Sequence, residues 1–352
     1  MKKSVILGAT GQIGSYLVEQ ELANGVEVFA GYRRTSTESR ERLRHLDDHP
    51  YLHWVPCDVT DPWSVYSLLR DIRPHFIYNL AAMSFVRASF DEPNHTTLCT
   101  YGGCLNVLEA MRKIGGDIRL YQASSSEMYG SAWSKYEDHH ERMDITDRPP
   151  DPHETTTSER QAYQDEQTPF LPNSPYAIAK LAAHQAVRVY RKSYGLHASC
   201  GIVFNTESER RGLEFVTRKI TNYVGLVANN KTTQKLQLGN LSAYRDWSHA
   251  SDTARAMQLM VRQNEPDDYC IGTGASYSIE HFLHTAFALI NRDWQEYVIA
   301  NTNAHLRPCE VPFLRARPEK ARLKLGWETT IQFEELVRRM VTHDIQRHAK
   351  KD

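Results

Sequence analysis

The stretch "SVILGATGQIGSYLVEQELA", residues 4–23, decides the fold. Val5, Ile6 and Leu7 make an apolar run that stops at Gly8, the pattern of a strand buried on both faces. From Gln12 onward Ile13, Tyr16 and Leu17 share one face of a helix. Between strand and helix stand Gly8, Gly11 and Gly14. Glycines there permit a tight turn and a close approach of backbone to a pyrophosphate. The following helix start adds free N–H groups and a positive dipole end. A turn kept only for packing is the plain alternative. A second apolar run, "EVFAGY" (27–32), follows at about the 20-residue spacing of a dinucleotide site. Gly8, Gly11, Gln12, Ile13 and Gly14 are therefore the first candidate cofactor residues.

Outward from this turn the rhythm repeats. "LHWVPC" (52–57), "FIYNLA" (76–81), "IRLYQAS" (118–124) and "ASCGIVF" (198–204) read as further buried strands, separated by helical patterns. One such pattern runs from Asn94 to Lys113, with Leu98, Tyr101, Leu105 and Leu108 on a common face. Alternation of this kind predicts an α/β fold: a Rossmann-like, doubly wound parallel sheet over residues 1–205. Residues 206–352 read as a smaller mixed α/β substrate lobe, with helices at about 214–229, 251–263, 278–291, 318–325 and 331–348, and with segments able to return to the main sheet. Residues from about 131 to 170 break the rhythm. Ten acids stand there against four cations, without a useful period, so the stretch reads as an exposed insertion: a lid, a contact surface or an inert excursion.

Composition narrows the function classes. The chain has 352 residues, 41% of them hydrophobic, enough for a sizeable core. Lys plus Arg number 42 and Asp plus Glu 43, a net charge of −1 that argues against a nucleic-acid binder. The six cysteines form no C-x-x-C pair, which predicts free thiols in a reducing compartment and no metal site. Only four residues of "SVIL" separate the basic N-terminus from Gly8, too few for a signal segment. No run approaches the roughly 18 apolar residues of a membrane span. A cytoplasmic protein is expected.

The end of the second strand selects the cofactor. An acid there would accept from ribose hydroxyls; the chain instead reads "GYRRTS", with Arg33, Arg34 and Ser36. Two guanidinium groups and a hydroxyl suit a 2'-phosphate, which predicts NADP. A solvated surface turn is the bland alternative. Asp58 and Val59, in "CDVTD", fall where the adenine would lie, and Leu80, Ala81, Ala82 and Ser84 where the chain would pass along the cofactor.

Two further segments carry chemistry. "NSPYAIAK" (173–180) has a capping Ser174 or Asn173, Pro175 in the first turn, and Tyr176 and Lys180 four apart on one face. An ammonium beside a phenol favours phenolate, so Lys180 is expected to lower the Tyr176 pKa. Such a tyrosine removes a proton from a sugar hydroxyl as hydride leaves the same carbon. "ASSSEMYG" (123–130) ends a strand with three hydroxyls and then Glu127. Ser125 completes a hydrogen-bonding set with Tyr176 and Lys180. Simple alcohol oxidation has no use for Glu127. It has one if a carbon-bound proton must also move: oxidation at C4 of a sugar makes the C5 hydrogen acidic, and a carboxylate removes it while the C6 hydroxyl departs as water. A solvent-facing strand-end acid is the alternative.

Together these segments resemble the extended short-chain dehydrogenase/reductases, and among them the GDP-mannose 4,6-dehydratase family, over nearly the whole chain. The family's "ASTSELYG" stands here as "ASSSEMYG", its "SPYGAAK" as "SPYAIAK", its "FNHESPRRG" as "FNTESERRG" (204–212), its "RDWGHAKD" as "RDWSHASD" (245–252) and its "RPTEV" as "RPCEV" (307–311). The resemblance implies a redox-neutral, NADP-dependent hydro-lyase converting GDP-mannose to GDP-4-keto-6-deoxymannose, with Ser125, Glu127, Tyr176 and Lys180 as its catalytic set. It implies a nucleotide-sugar site of Ser84, Ser126, Asn205, Arg211, Val216, Lys219, Arg245, Arg307 and Glu310, and a homodimer or homotetramer. Four departures bear on the sugar. Ser125 replaces threonine, Met83 and Phe85 replace the glutamine and histidine of "GAQSHV", and Tyr244 replaces lysine. A different GDP-sugar (a GDP-heptose or GDP-N-acetylhexosamine) is one alternative. A related reductase or epimerase is another, and a non-catalytic NADP-binding protein a third.

Overall fold

The computed structural model describes residues 1–36, 40–135, 142–144, 162–302 and 308–349. Seven strands form one sheet: β1 (Lys3–Leu7), β2 (Glu27–Tyr32), β3 (Leu52–Pro56), β4 (Phe76–Asn79), β5 (Arg119–Ser125), β6 (His197–Val203) and β7 (Asp268–Ile271). Their order is β7-β6-β5-β4-β1-β2-β3. Every pairing is parallel, with Val5 opposite Phe29 on one side and Ile77 on the other. The strand order reverses at β1 and β4, which opens a crevice at their carboxyl ends.

Both faces of the sheet are covered, and the alternation of side chains along each strand decides which residue goes where. Ile6, Val28, Tyr78 and Tyr121 pack with Leu17 and Val18 of α1 (Gln12–Ala23), and with Met257 and Met260 of a helix at Ala250–Val261. Val5, Leu7, Ile77 and Leu120 face the other way. They meet Val65 and Leu69 of α2 (Pro62–Ile72), Val107 and Leu108 of α3 (Gly103–Ile114), and Ala183 and Val187 of α4 (Pro175–Tyr194). The helical pattern from Asn94 onward is met by a short helix, Pro93–Thr97, then one π turn, Leu98–Gly102, and then α3.

A separate core forms in the second half. Ile220 and Val224 of α5 (Val216–Ala228) pack on Phe282 and Phe287 of a helix at Ile279–Ala288 and on Leu336 and Met340 of one at Phe333–Ala349. Strand β7 is the piece of this half that pairs with the main sheet, against β6.

The acidic stretch read as exposed is not so at its ends. Trp133, Ala162 and Tyr163 are buried, and Gln164 is wholly buried. Gln164 is tolerated there because its amide is satisfied: Nε2 donates to the Ala132 carbonyl (3.1 Å), and Oε1 accepts from the Arg315 N–H (2.8 Å). The Tyr129 hydroxyl donates to the Asp165 carbonyl at 2.6 Å. Most of the stretch between these ends lies outside the described residues.

Candidate active site

A cleft of about 620 Å³ opens at the carboxyl ends of β1, β4, β5 and β6, where the switch in strand order puts ligands in such sheets. Its floor is the glycine turn. Gly8 has φ +86°, and a Cβ on it would sit 3.1 Å from the Ala81 backbone nitrogen. A Cβ on Gly14 would lie 2.2 Å from the Gly8 carbonyl oxygen. The turn thus closes only with hydrogens at these positions, and α1 starts from Gly11 without a side-chain cap. Its first N–H groups are left to a ligand, the arrangement a dinucleotide pyrophosphate needs.

Gln12 and Ile13 both line the cleft. The Gln12 side chain is taken up by the opposite wall: Nε2 donates to the Thr206 carbonyl (2.9 Å) and Oε1 accepts from the Ser208 hydroxyl (3.0 Å). Leu80, Ala81, Ala82 and Ser84 follow β4 along the same cleft. Arg42, which the sequence reading missed, also lines it, with guanidinium donors to the Thr10 and Arg210 carbonyls (3.0 Å each). It lies in a single 3-10 stretch, Glu41–Leu46, with no local signal to single it out.

Arg33, Arg34 and Ser36 are exposed at the end of β2. Asp58 is exposed after β3. Burial pushes its carboxyl up, but the Thr60 N–H and hydroxyl (2.9 and 2.8 Å) and the charge of Arg33 outweigh that and hold it below its usual range. Val59 is buried, and its carbonyl accepts from Asn106 at 2.8 Å.

The reactive side chains come from β5 and α4. Ser125 ends β5, and its hydroxyl accepts the Glu127 N–H at 3.3 Å, opening the turn Ser126–Tyr129. Ser125, Ser126 and Glu127 are all buried, and all line the cleft. Ser174 caps α4 by accepting the Ala177 N–H at 3.1 Å, and Pro175 takes the first helical position. Tyr176 and Lys180 then face the cleft one turn apart. Behind the strand, the Ser124 hydroxyl and His184 Nδ1 are 2.9 Å apart, tying β5 to α4 one turn beyond Lys180.

The expected effect of Lys180 on the phenol does not appear. Burial pushes Tyr176 up to about 12. A hydrogen bond with Ser125 and the charge of Arg211 pull it down, and the Glu127 charge pushes it up. Lys180 is itself pushed down to about 8 by burial. It donates to the Ala123 carbonyl at 2.7 Å, with Nζ 5.8 Å from the Tyr176 ring centroid. Withdrawal from water wins over the helical pairing.

The other wall comes from the second half of the chain. Asn205 opens a short strand, Asn205–Glu207, that pairs with Trp247–His249. Its Oδ1 is buried without a hydrogen-bond partner. Val216 and Lys219 line the cleft from α5, and Arg211 lines it from the preceding loop. Arg245 is buried and donates to Glu310 at 2.8 Å, so two of the predicted substrate residues pair with each other. Arg307 lies outside the described residues. Glu207, also missed, lies in the cleft wall inside the "FNTESERRG" segment.

The departures have clear surroundings. Phe85 lines the cleft edge-on to Phe215, centroids 5.5 Å apart. Met83 Sδ accepts from Thr96 at 3.4 Å. Tyr244 packs with Trp133, Ala162 and Phe313, so it completes the small core at the roots of the acidic stretch. All six cysteines are free thiols, five of them buried. Among the described residues one cluster, His184, Cys200 and Asp268, brings donor atoms within 4.8 Å, but Asp268 is already paired to Arg191 at 2.5 Å. No helix among the described residues is long and apolar enough to cross a membrane.

Known proteins resemble this chain in sequence and in fold. The sequence model of the family described as GDP-mannose 4,6 dehydratase matches residues 5–150 and 157–340. GDP-mannose 4,6 dehydratase 2 of Arabidopsis thaliana is 40% identical, covering 98% of this chain and 87% of its own. The GDP-mannose 4,6-dehydratase of Vibrio cholerae is 36% identical, covering 99% and 96%. Among solved structures, the dTDP-glucose 4,6-dehydratase of Bacillus anthracis in complex with NAD superposes with a TM-score of 0.79 at 19% identity, covering 99% of this chain and 98% of that one. The UDP-glucose 4-epimerase of Thermus thermophilus, in complex with NAD, gives 0.78 at 24% identity, covering 97% and 98%. At these identities the structures speak for the fold.

Proposed function

The chain belongs to the GDP-mannose 4,6-dehydratase family, and on that premise we propose that it is a redox-neutral hydro-lyase converting GDP-mannose to GDP-4-keto-6-deoxymannose with tightly held NADP. The observation that carries this reading is the grouping of Glu127 with Ser125 and Tyr176 in the cleft that the glycine turn floors. A reductase or epimerase shares the tyrosine and lysine but has no step for that carboxylate.

The glycine turn at Gly8, Gly11 and Gly14 would hold a dinucleotide, whose nicotinamide would supply hydride exchange between C4 and C6 of the sugar. The chain's own residues move the protons. Tyr176, hydrogen-bonded by Ser125, takes the proton of the C4 hydroxyl. The new ketone acidifies C5–H, and Glu127 takes that proton. Glu127 then gives it to the C6 hydroxyl, which leaves as water and makes a C5–C6 double bond. Tyr176 returns its proton to C5 as hydride reaches C6. Substrate minus water is the product, and Tyr176 and Glu127 end as they began.

Arg33, Arg34 and Ser36 support NADP over NAD, because exposed guanidinium groups at this strand end suit a 2'-phosphate. Arg211, Lys219 and Arg245 supply cations for the substrate diphosphate, with Asn205 and Val216 on the same wall and Ser84 and Ser126 across the cleft. Phe85, where the family carries histidine, favours a second reading in which the sugar is another GDP-hexose or a heptose. A cytoplasmic homodimer or homotetramer fits the family likeness.

The test is incubation of the purified protein with GDP-mannose and catalytic NADP. The reading expects a 4-keto-6-deoxy product without stoichiometric NADPH. Consumption of NADPH mole for mole, or no reaction with GDP-mannose, rejects it.

A further inference from the structure

We infer that Glu207 is a positioning residue that seats Arg211 for the diphosphate of the nucleotide sugar. The inference rests on the reading above, that this cleft binds a nucleoside-diphosphate sugar. Glu207 is 2% exposed, yet it lines the cleft wall. Burial raises its pKa, against the pull of Arg211 and Thr217. Two groups hold the carboxylate. Thr217 donates its hydroxyl to Oε2 at 2.6 Å, and Arg211 Nε approaches the same oxygen at 3.2 Å.

A ring stack holds the Arg211 side chain from a second direction, and two hydrogen bonds fix its backbone. Its guanidinium carbon stacks 3.4 Å from the centroid of the Phe215 ring, which Phe85 meets edge-on. Its N–H donates to the Ser208 carbonyl (3.1 Å), and its carbonyl accepts from Arg218 Nε (3.3 Å). Arg218 is anchored in turn on the wholly buried Asp344. Among the described residues nothing hydrogen-bonds the Arg211 guanidinium, and its Nε is buried without a bond. A planar fork of donors held this way is prepared for an anion that arrives later.

Thr217 lies in the first turn of α5, the helix that carries Val216 and Lys219 into the cleft. One carboxylate therefore registers the loop cation against the helix that lines the nucleotide side. The reacting groups sit on β5, the turn that follows it and α4, where Arg211 acts on Tyr176 through its charge alone. Disturbing Glu207 should weaken binding and leave the chemical step nearly intact, a division a general loss of structure does not produce.

The experiment measures KM, kcat and the dissociation constant for GDP-mannose in E207Q, R211Q, the double variant and T217V. E207Q keeps an acceptor for Thr217 and removes the charge opposite Arg211. The expected result is a KM and a dissociation constant raised about tenfold or more, with kcat within about threefold. In the R211Q background E207Q should add nothing further, because the two residues act as one unit. T217V should change KM far less than E207Q. An unchanged KM in E207Q, additive effects in the double variant, or a T217V value equal to that of E207Q overturns the inference. If E207Q does not fold, Glu207→Asp carries the same expectation through its shortened reach. Failure of the wild-type protein to turn over GDP-mannose rejects the functional reading instead, a result distinct from each of these.

Discussion

Lys180 donates to the Ala123 carbonyl at 2.7 Å, two residues before Ser125 on the same strand. The ammonium thereby ties α4 to the end of β5 and is withdrawn from water: Lys180 is 3% exposed. Tyr176 and Ser125 are thus brought together by a charged crosslink that the fold pays for in desolvation.

That burial has a measurable sign. Lys180 has an ordinary value of 10.5 and is pushed down to about 8 in the folded protein. Below about pH 8 the ammonium is charged in both states, and the full penalty for burying it falls on the fold. Above 10.5 it is neutral in both, and the penalty is gone. Between those limits the wild-type protein should gain stability on the order of 3 kcal/mol relative to K180M, which has nothing to titrate. Cofactor-free melting of both proteins from about pH 7 to about pH 10.5 checks this. A melting difference that stays constant across the range rules out the buried ammonium as described.

Tyr176 gives a second pH prediction. Its phenol stands at about 12 chiefly because it is buried, and the Ser125 hydrogen bond is the largest influence opposing that rise. Removing the bond in S125A raises the phenol further. The ascending limb of kcat against pH should move to higher pH by up to about one unit, the worth of one hydrogen bond. S125T, which restores the hydroxyl, should leave the limb where the wild type has it. Coincident profiles for S125A and wild type place the phenol under some other control.

Much of this was legible from residue order, and the failures have physical causes. Six strands announced themselves as apolar runs, because strands buried on both faces admit little else. The seventh, "DYCI" at Asp268–Ile271, is four residues long and begins with an acid, so no run marks it. Gln164 looked like solvent-facing loop. It is wholly buried because its own amide replaces water for Ala132 and Arg315, which composition does not register. Tyr176 and Lys180 were rightly placed on one face, but a shared face does not say where an ammonium points. Glu207 stood inside a recognised segment, and its role emerges only from what Arg211 and Thr217 do around it.

The exposed pair at the end of β2 makes a cofactor prediction independent of the sugar. Arg33 is near enough to lower the Asp58 carboxyl, so the ends of β2 and β3 share one electrostatic neighbourhood. If the two guanidinium groups hold a 2'-phosphate, R33A/R34A should weaken NADP binding by about tenfold or more and leave NAD binding nearly unchanged. Titration with NADH and NADPH, followed by the fluorescence of their dihydronicotinamide, reads both constants. Equal losses for NAD and NADP exclude selection at the 2' position.

Glu127 separates oxidation from elimination. The C4 step draws on Tyr176, Ser125 and the nicotinamide, and none of these needs a carboxylate at position 127. The C5 and C6 steps need a group that takes a proton from carbon and then gives it to a departing hydroxyl, and an amide does neither. E127Q should therefore bind cofactor and GDP-mannose normally and still oxidise C4, so that reduced nicotinamide builds up on mixing where the wild type shows little. Product formation should fall by about 10²–10⁴, the usual worth of a positioned acid or base. Solvent deuterium should no longer enter C5. The Glu127 charge also raises the Tyr176 phenol, so its removal should make C4 oxidation slightly easier at neutral pH, and the reduced cofactor should appear no later than in the wild type. A variant that forms product at near-normal rate, or that never reduces its cofactor, separates Glu127 from the elimination it is assigned here.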